Sequence, residues 1–274
     1  MTDAARTVRR DDLATEEPLE IRIGTGGDPL PARTVAVTMR TPGADFELAA
    51  GFLYGEGVLG AATDIARIAY CADPALDGDQ RYNVVTATLA AGVGAPDLAG
   101  LDRHVFASSA CGVCGKASLD GLRRRGICSV PPGPRVPVDT LYRLPAALAE
   151  AQGVFARTGG LHAAGLFTPA GEPVAVREDV GRHNAVDKVI GWALLSGRLP
   201  LHGLVLMVSG RASFEIVQKA AAAGIPVLCA VSAPSSLAVT GAEEFGLTLV
   251  GFLRERRCNV YTGHDRVAVT AAAR

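Results

Sequence analysis

The chain is short of aromatic residues, with eight Phe, five Tyr and one Trp among 274 residues. Its core must therefore come from Ala, Val and Leu. With 49% hydrophobic residues there are enough of these for one large or two small α/β domains. A charge bias is also missing. A net charge of −1 argues against general nucleic-acid binding, which brings a strong basic excess. Apolar runs such as Leu204 to Val208 and Pro226 to Val231 fall far short of the ~20 residues of a membrane helix. Arg9-Arg10 is followed by Asp11-Asp12 rather than by an apolar segment, so neither a twin-arginine nor a secretory signal is expected. Six cysteines, four of them in apolar or strand-like contexts, do not make a disulfide framework. These absences lead to the expectation of a cytoplasmic protein with no membrane or nucleic-acid partner.

What is present is organised in two parts. Residues 1–17 are polar and aperiodic and read as a loose tail. Residues 18–135 open with two strands, Leu19 to Ile23 and Thr34 to Arg40, joined by a Gly-rich turn. Phe46, Ala49, Ala50 and Leu53 recur near 3.6 and predict a helix over 44–57. Two further strands follow, Ile65 to Cys71 and Tyr82 to Leu89, and a short helix near 118–125. Pro131-Pro132-Gly133-Pro134 with Pro137 reads as a linker. Residues 136–274 then alternate: a helix near 139–155, strands at His162 to Phe167 and Pro173 to Arg177, and helices over 184–196, 213–223 and 235–245. Strands at Leu204 to Val208, Pro226 to Val231 and Leu247 to Phe252 separate them. Such alternation predicts a largely parallel, helix-covered sheet. Gly241 inside the last helix costs it roughly 1 kcal/mol against Ala. Trp192 reads as core, and Cys71, Cys128, Cys229 and Cys258 as packing residues.

Six segments carry candidate chemistry. The first is His104-Val-Phe-Ala-Ser-Ser-Ala-Cys111-Gly-Val-Cys114-Gly-Lys116, two thiols flanked by glycines where no helix or strand pattern holds. Cysteine reactivity follows thiolate character and access, and Lys116, His104 or glycine-exposed N–H groups can lower the thiol pKa. Four readings stay open. Zinc would need irregularly spaced help from His104 and Cys128; a thioredoxin-like dithiol should open a helix in a βαβ unit; the pair can be incidental; or it carries sulfur as a persulfide. The loop context favours the last. The second segment is Thr158-Gly-Gly-Leu-His162-Ala-Ala164. Zinc deaminases carry His-x-Glu with a downstream Pro-Cys-x-x-Cys, whereas here Ala164 stands at the Glu position and the cysteine pair lies upstream. Hydrolytic deamination is therefore not expected, and for His162 both a structural role and a ligand contact stay open.

The third segment is Arg177-Glu-Asp179-Val-Gly-Arg182-His183-Asn184-Ala-Val-Asp187-Lys188. Asn184 and Asp187 suit helix capping with a surface ion-pair cluster. Arg182, His183 and Lys188 together suit an anion at a helix N-terminus. The fourth and fifth are strand-to-helix turns, Ser209-Gly210-Arg211-Ala-Ser213 and Ser232-Ala-Pro-Ser235-Ser236. In open α/β sheets ligands sit beyond the carboxyl ends of the strands, so the pair points to a phosphate or nucleotide crevice, although each alone can be a cap. The sixth is Phe252-Leu253-Arg254-Glu255-Arg256-Arg257, just past the last expected strand. Its arginine forks match pyrophosphate, and Phe252 offers a stacking face.

Five of these motifs occur in order: Ser109-Ala-Cys-Gly-Val-Cys-Gly-Lys116, Thr158 to Ala164, Arg177 to Lys188, Ser209-Gly-Arg211 and Ser232 to Leu237. The chain thereby resembles the formate dehydrogenase accessory sulfurtransferases of the FdhD type, from about residue 18 to the C-terminus. The resemblance implies a cytidine-deaminase-like C-terminal α/β domain, a smaller β-roll-like N-terminal domain and a homodimer. It implies that sulfur is taken from a cysteine desulfurase and given to a molybdenum or tungsten bis(molybdopterin guanine dinucleotide) cofactor, bound as cargo and destined for the formate dehydrogenase catalytic subunit. GDP or GTP would stand in for the guanine nucleotide arm. Cys111 maps to the persulfide carrier, Cys114 to the second thiol, and Phe252 through Arg257 to the cofactor segment. Thr240-Gly241 departs from the family's more helix-favouring pattern. The rival expectation is a non-catalytic cofactor-binding chaperone whose thiols hold a metal.

Overall fold

The computed structural model describes residues 9–25, 32–72, 78–93, 123, 126, 127 and 129–269. In chain order the elements are β1 (Glu17–Thr25), β2 (Arg33–Arg40), α1 (Asp45–Gly55), β3 (Ile65–Tyr70), α2 (Gly78–Arg81) and β4 (Val84–Leu89). After these come β5 (Val136–Pro137), α3 (Val138–Glu150), α4 (Phe155–Thr158), β6 (His162–Phe167), β7 (Pro173–Asp179) and α5 (Arg182–Leu195). The rest are β8 (Val205–Val208), α6 (Phe214–Ala222), β9 (Val227–Ala230), α7 (Ser236–Glu244), β10 (Thr248–Arg254), β11 (Arg257–Thr262) and β12 (Val267–Ala268). The α/β fold is present, but the sheet that the alternation predicts as largely parallel is mixed: only the β8–β9 and β9–β10 pairings are parallel, while β6, β7 and β11 add antiparallel pairings through hairpins and a return strand.

The first sheet has the order β2-β1-β4-β3, with β1 and β4 parallel and the outer pairs antiparallel. Leu19, Ile21 and Ile23 alternate along β1, and Val85, Ala87 and Leu89 along β4, so one face is buried. Leu48, Ala49, Ala50 and Leu53 of α1 cover it. The second sheet runs β11-β10-β9-β8-β6-β7. Strands β8, β9 and β10 are parallel, and β6 runs antiparallel to both β7 and β8. All four residues of β8 and of β9 are buried, which follows from cover on both faces. Leu206 and Val208 meet Val186, Ile190, Ile216 and Val217 of α5 and α6. Val205 and Met207 meet Leu141, Leu144 and Leu148 of α3.

Helices α1 and α5 join the two layers. They cross at Gly51 and Gly191, where a Cβ on either glycine would fall inside van der Waals contact of the other helix's backbone. Around that crossing Arg177 pairs with Glu47 (Nη2 to Oε1 2.8 Å) and Tyr54 donates its hydroxyl to the Ala222 carbonyl at 2.7 Å.

Three further expectations change. The helix expected over 139–155 stops at Glu150, and α4 begins separately because the Glu178 carboxylate accepts from the Val154 and Phe155 amides (3.0 and 2.7 Å). The arginine run does not follow the last strand: β10 extends through Arg254, Glu255 and Arg256 form a tight turn, and β11 returns antiparallel. Trp192 is only half-buried, with the Arg198 guanidinium 5.2 Å over its ring. Gly241 has a packing reason, since a Cβ there would lie 2.8 Å from the Phe214 ring, so its small size lets α7 approach α6. Among the described residues, no helix is long and apolar enough to cross a membrane.

Candidate functional site at the carboxyl edge of the sheet

The strand directions bring one end of β6 and the carboxyl ends of β7, β8, β9 and β10 to a common edge. Helices α5, α6 and α7 each start there, immediately after β7, β8 and β9. Three N-termini therefore present unpaired N–H groups and partial positive charge to the same edge. Hydrogen bonds lace the turns together. Ser232 N donates to the Gly210 carbonyl (3.3 Å), Ser235 N to the Ala212 carbonyl (3.0 Å) and Phe252 N to the Ser232 carbonyl (3.1 Å).

One corner gathers His162, Arg182, His183, Gly210 and Ser213. A Cβ on Gly210 would lie 3.4 Å from His162 Nδ1 and 3.7 Å from Arg182 Cδ, so the bare backbone lets both side chains close over the turn. The Arg182 Nε is buried and, among the described residues, has no hydrogen-bond partner. Burial lowers the His162 pKa, and the nearby Arg182 charge lowers it further. Burial likewise brings His183 down to about 4, with Glu215 opposing and Arg182, Lys219 and His162 reinforcing the fall. Both imidazoles are neutral at pH 7, so the positive charge of this corner comes from Arg182 and from exposed Arg211.

Phe252 stands at the neighbouring turn with φ +52°, in the left-handed region that bulky residues rarely adopt. Such a backbone persists only when its surroundings over-determine it, at roughly 1–3 kcal/mol. Gly251 supplies the space: a Cβ there would lie 2.9 Å from Pro234 Cδ and 3.0 Å from Tyr261 Cε2. The Arg254 guanidinium sits 6.0 Å from the Phe252 ring.

Several expected site residues have other employment. Asn184 is buried and does not cap α5; its amide donates to the Met39 carbonyl (2.8 Å) and to Asp179 Oδ1 (2.9 Å), joining β2 to the start of the helix. Asp187 does not cap either, and pairs with Lys219 at 2.7 Å in the interior. Lys188 is no anion receptor: it is buried, pairs with Asp179 at 2.7 Å and donates to the Thr41 carbonyl at 2.9 Å. The expected surface ion-pair cluster is thus an internal joint. The Ser209 hydroxyl oxygen accepts from Ala163 N at 2.9 Å, fastening β6 to β8. The Ser235 oxygen caps α7 by accepting from Ala238 N at 3.2 Å. Leu253 is fully buried and packs in the α3-side core. The three arginines do not act as one patch, because Arg256 pairs with Asp139 (2.8 Å) and stands over Tyr142 at the end of α3. Glu255 and Arg257 are exposed on the same hairpin.

Cys111, Cys114, His104, Lys116, Cys128 and most of the helix expected over 118–125 lie outside the described residues. Among the described residues, no group of three or more His, Cys, Asp and Glu side chains is arranged to hold a metal ion. Ser213 and Glu215 carry a contact that the sequence reading did not assign: His183 Nε2 lies 3.0 Å from Ser213 Oγ and Nδ1 lies 3.5 Å from Glu215 Oε2. Sequence offers only a weak signal for this, a serine at a helix start with an acid two residues on.

A family model described as the FdhD/NarQ family matches residues 14–268. A protein of Streptomyces avermitilis named "Sulfur carrier protein FdhD" is 59% identical over 274 residues, 99% of this chain and 94% of that protein. A protein of the same name from Mycobacterium tuberculosis is 54% identical over 265 residues, 94% of this chain and 92% of that one. The crystal structure of a putative formate dehydrogenase accessory protein from Desulfotalea psychrophila superposes with a TM-score of 0.68 at 26% identity, covering 94% of this chain and 91% of that one. With the matched model spanning both sheets and the carboxyl edge of the second, the chain belongs to the FdhD/NarQ family.

Proposed function

We propose that this chain is a sulfur carrier for formate dehydrogenase maturation, and that it moves sulfur as a persulfide on Cys111. The observation that carries the reading is the edge itself: three helix N-termini, Arg182, Arg211 and Phe252 around one set of laced turns suit a nucleotide with its phosphates. The names of close relatives add the sulfur. In the transfer step the Cys111 thiolate attacks the outer sulfur of a cysteine desulfurase persulfide. A new S–S bond forms, the old one breaks, and the desulfurase leaves as a thiolate, so no external oxidant is required. Cys114 is the second thiol of the loop, able to take the sulfur on. The cargo is a molybdenum or tungsten bis(molybdopterin guanine dinucleotide), whose guanine nucleotide arm seats at the carboxyl edge before delivery to the formate dehydrogenase catalytic subunit. Assembly as a homodimer, and a cytoplasmic location, rest on the resemblance and the composition.

Incubation with desulfurase and cysteine, followed by mass spectrometry, tests the transfer. A gain of about 32 Da, one sulfur atom, on the peptide holding Cys111 is the expected result. Stoichiometric zinc with no adduct would leave the chaperone reading instead.

A further inference from the structure

Two serines occupy the same place in consecutive turns, each the N-cap of the helix that follows. Ser235 does what such a residue ordinarily does and accepts a hydrogen bond from the first turn of α7. Ser213 makes no side-chain cap on α6. Its hydroxyl faces His183 Nε2 at 3.0 Å instead, and the far side of that ring faces Glu215 Oε2 at 3.5 Å.

The carboxylate decides the tautomer. With the hydrogen on Nε2, the Nδ1 lone pair would face a negative oxygen; with the hydrogen on Nδ1 that repulsion becomes an electrostatic attraction across 3.5 Å. Glu215 is steadied on its other oxygen by Lys219 Nζ at 4.0 Å, which is itself fixed by Asp187 at 2.7 Å. Nε2 is then an acceptor, and the Ser213 hydrogen is committed to it. The hydroxyl keeps only lone pairs for anything else. Arg182 on α5, His162 on β6 and Lys219 on α6 bear electrostatically on the same ring, and burial keeps it neutral. A ring so reluctant to take a proton serves as a fixed acceptor rather than as a proton shuttle.

We propose that Ser213 is an acceptor-only hydroxyl of the nucleotide site, matched to an N–H or O–H donor of the bound guanine nucleotide, and that Glu215 is the positioning residue that sets it through His183. This rests on the reading that the carboxyl edge seats a guanine nucleotide. A phosphate oxygen placed against Ser213 would meet lone pairs, so the phosphates belong to Arg182 and the helix N-termini, while Ser213 reads a ribose hydroxyl or the base edge.

Calorimetry on the full chain with GDP, 2′-deoxy-GDP, 3′-deoxy-GDP and IDP separates the donors. One of the three analogues should bind the unaltered protein about fivefold to tenfold more weakly than GDP, the span of one net hydrogen bond. Ser213→Ala should bind that analogue and GDP alike. Glu215→Gln should shrink the same difference, because its amide can donate to Nδ1 and release the tautomer. In ¹⁵N spectra of histidine-labelled protein, His183 should carry its hydrogen on Nδ1, with Glu215→Gln moving it toward Nε2. No binding of any guanine nucleotide would overturn the nucleotide reading and this one with it. GDP binding with unchanged analogue ratios in Ser213→Ala, or an Nε2–H tautomer in the unaltered protein, would overturn this inference alone.

Discussion

Replacing Gly191 with alanine should destabilise the protein even though alanine is the better helix former. In an exposed helix the exchange gains about 1 kcal/mol. At Gly191 the added Cβ meets the Glu47 carbonyl carbon at 2.6 Å and the Gly51 nitrogen at 2.8 Å, both backbone atoms of α1 that no rotamer change can move. The helices must part by roughly 1 Å to restore ordinary contact. Parting them stretches the Arg177–Glu47 pair and the Tyr54 bond to the Ala222 carbonyl, and opens the core that α1 shares with its sheet. Overpacking a close-packed site costs about 1–3 kcal/mol, at the upper end when two main chains collide. After subtracting the propensity gain, a net loss of about 2 kcal/mol is expected. Gly203→Ala serves as the control, since a Cβ there has nothing within 4 Å. Urea unfolding followed by the fluorescence of Trp192, the neighbour of Gly191, gives both values. A Gly191→Ala protein as stable as the original, or more so, would refute the backbone contact between α1 and α5 and the way the two layers are joined.

Cys111→Ala should abolish formate dehydrogenase maturation while the protein folds and binds GDP normally, which a maturation assay beside calorimetry would check. GDP or GTP should bind in preference to adenine nucleotides, and the Arg254/Arg256/Arg257 triple alanine variant should bind them more weakly; Arg256→Ala alone should change little, since its exposed pair with Asp139 is worth about 0–1 kcal/mol. His183, held near 4 when folded against an ordinary 6.5, binds fewer protons folded than unfolded. Stability should therefore be complete above about pH 6.5 and fall as pH drops toward 4, with a limiting cost on the order of 3 kcal/mol, and His183→Gln should flatten that part of a urea-midpoint profile. Cytidine should not be deaminated, because Ala164 stands where the proton-shuttling carboxyl would be, and such a group typically contributes 10²–10⁴-fold; uridine formation lost in His162→Ala would show otherwise.

Elements of the fold with a strong period were legible before any coordinates. The β1 alternation of Leu19, Ile21 and Ile23 and the buried runs of β8 and β9 each give one answer, because an exposed face or its absence is written into the residue pattern. What escaped was the β10–β11 hairpin. Its turn runs through Glu255 at φ +54°, a left-handed position that a sequence ordinarily announces with Gly or Asn. Without that punctuation, Arg254 to Arg257 have the look of a charged stretch trailing off a last strand, and nothing local marks the return of β11.

The sequence pattern places these turns at one edge of the sheet, as the strand directions show, but does not divide their residues between ligand and scaffold. The Arg177–Lys188 segment shows why. Asp179, Asn184 and Lys188 are polar, close in sequence and at a helix start, the marks of an anion site and equally the marks of a joint. What separates the two is the partner on another element: Met39 and Thr41 of the N-terminal layer take up Asn184 and Lys188 through contacts more than 140 residues apart along the chain. No local pattern carries that information. The same holds in reverse for Ser213, whose position reads as a cap and whose hydroxyl is diverted to His183 on the neighbouring helix. Polar residues at this edge are therefore assigned by who satisfies them. Those fully satisfied inside the chain hold the layers together. Arg182, with a buried nitrogen unmatched among the described residues, and Ser213, with lone pairs to spare, are the ones whose hydrogen-bonding capacity the chain leaves unused.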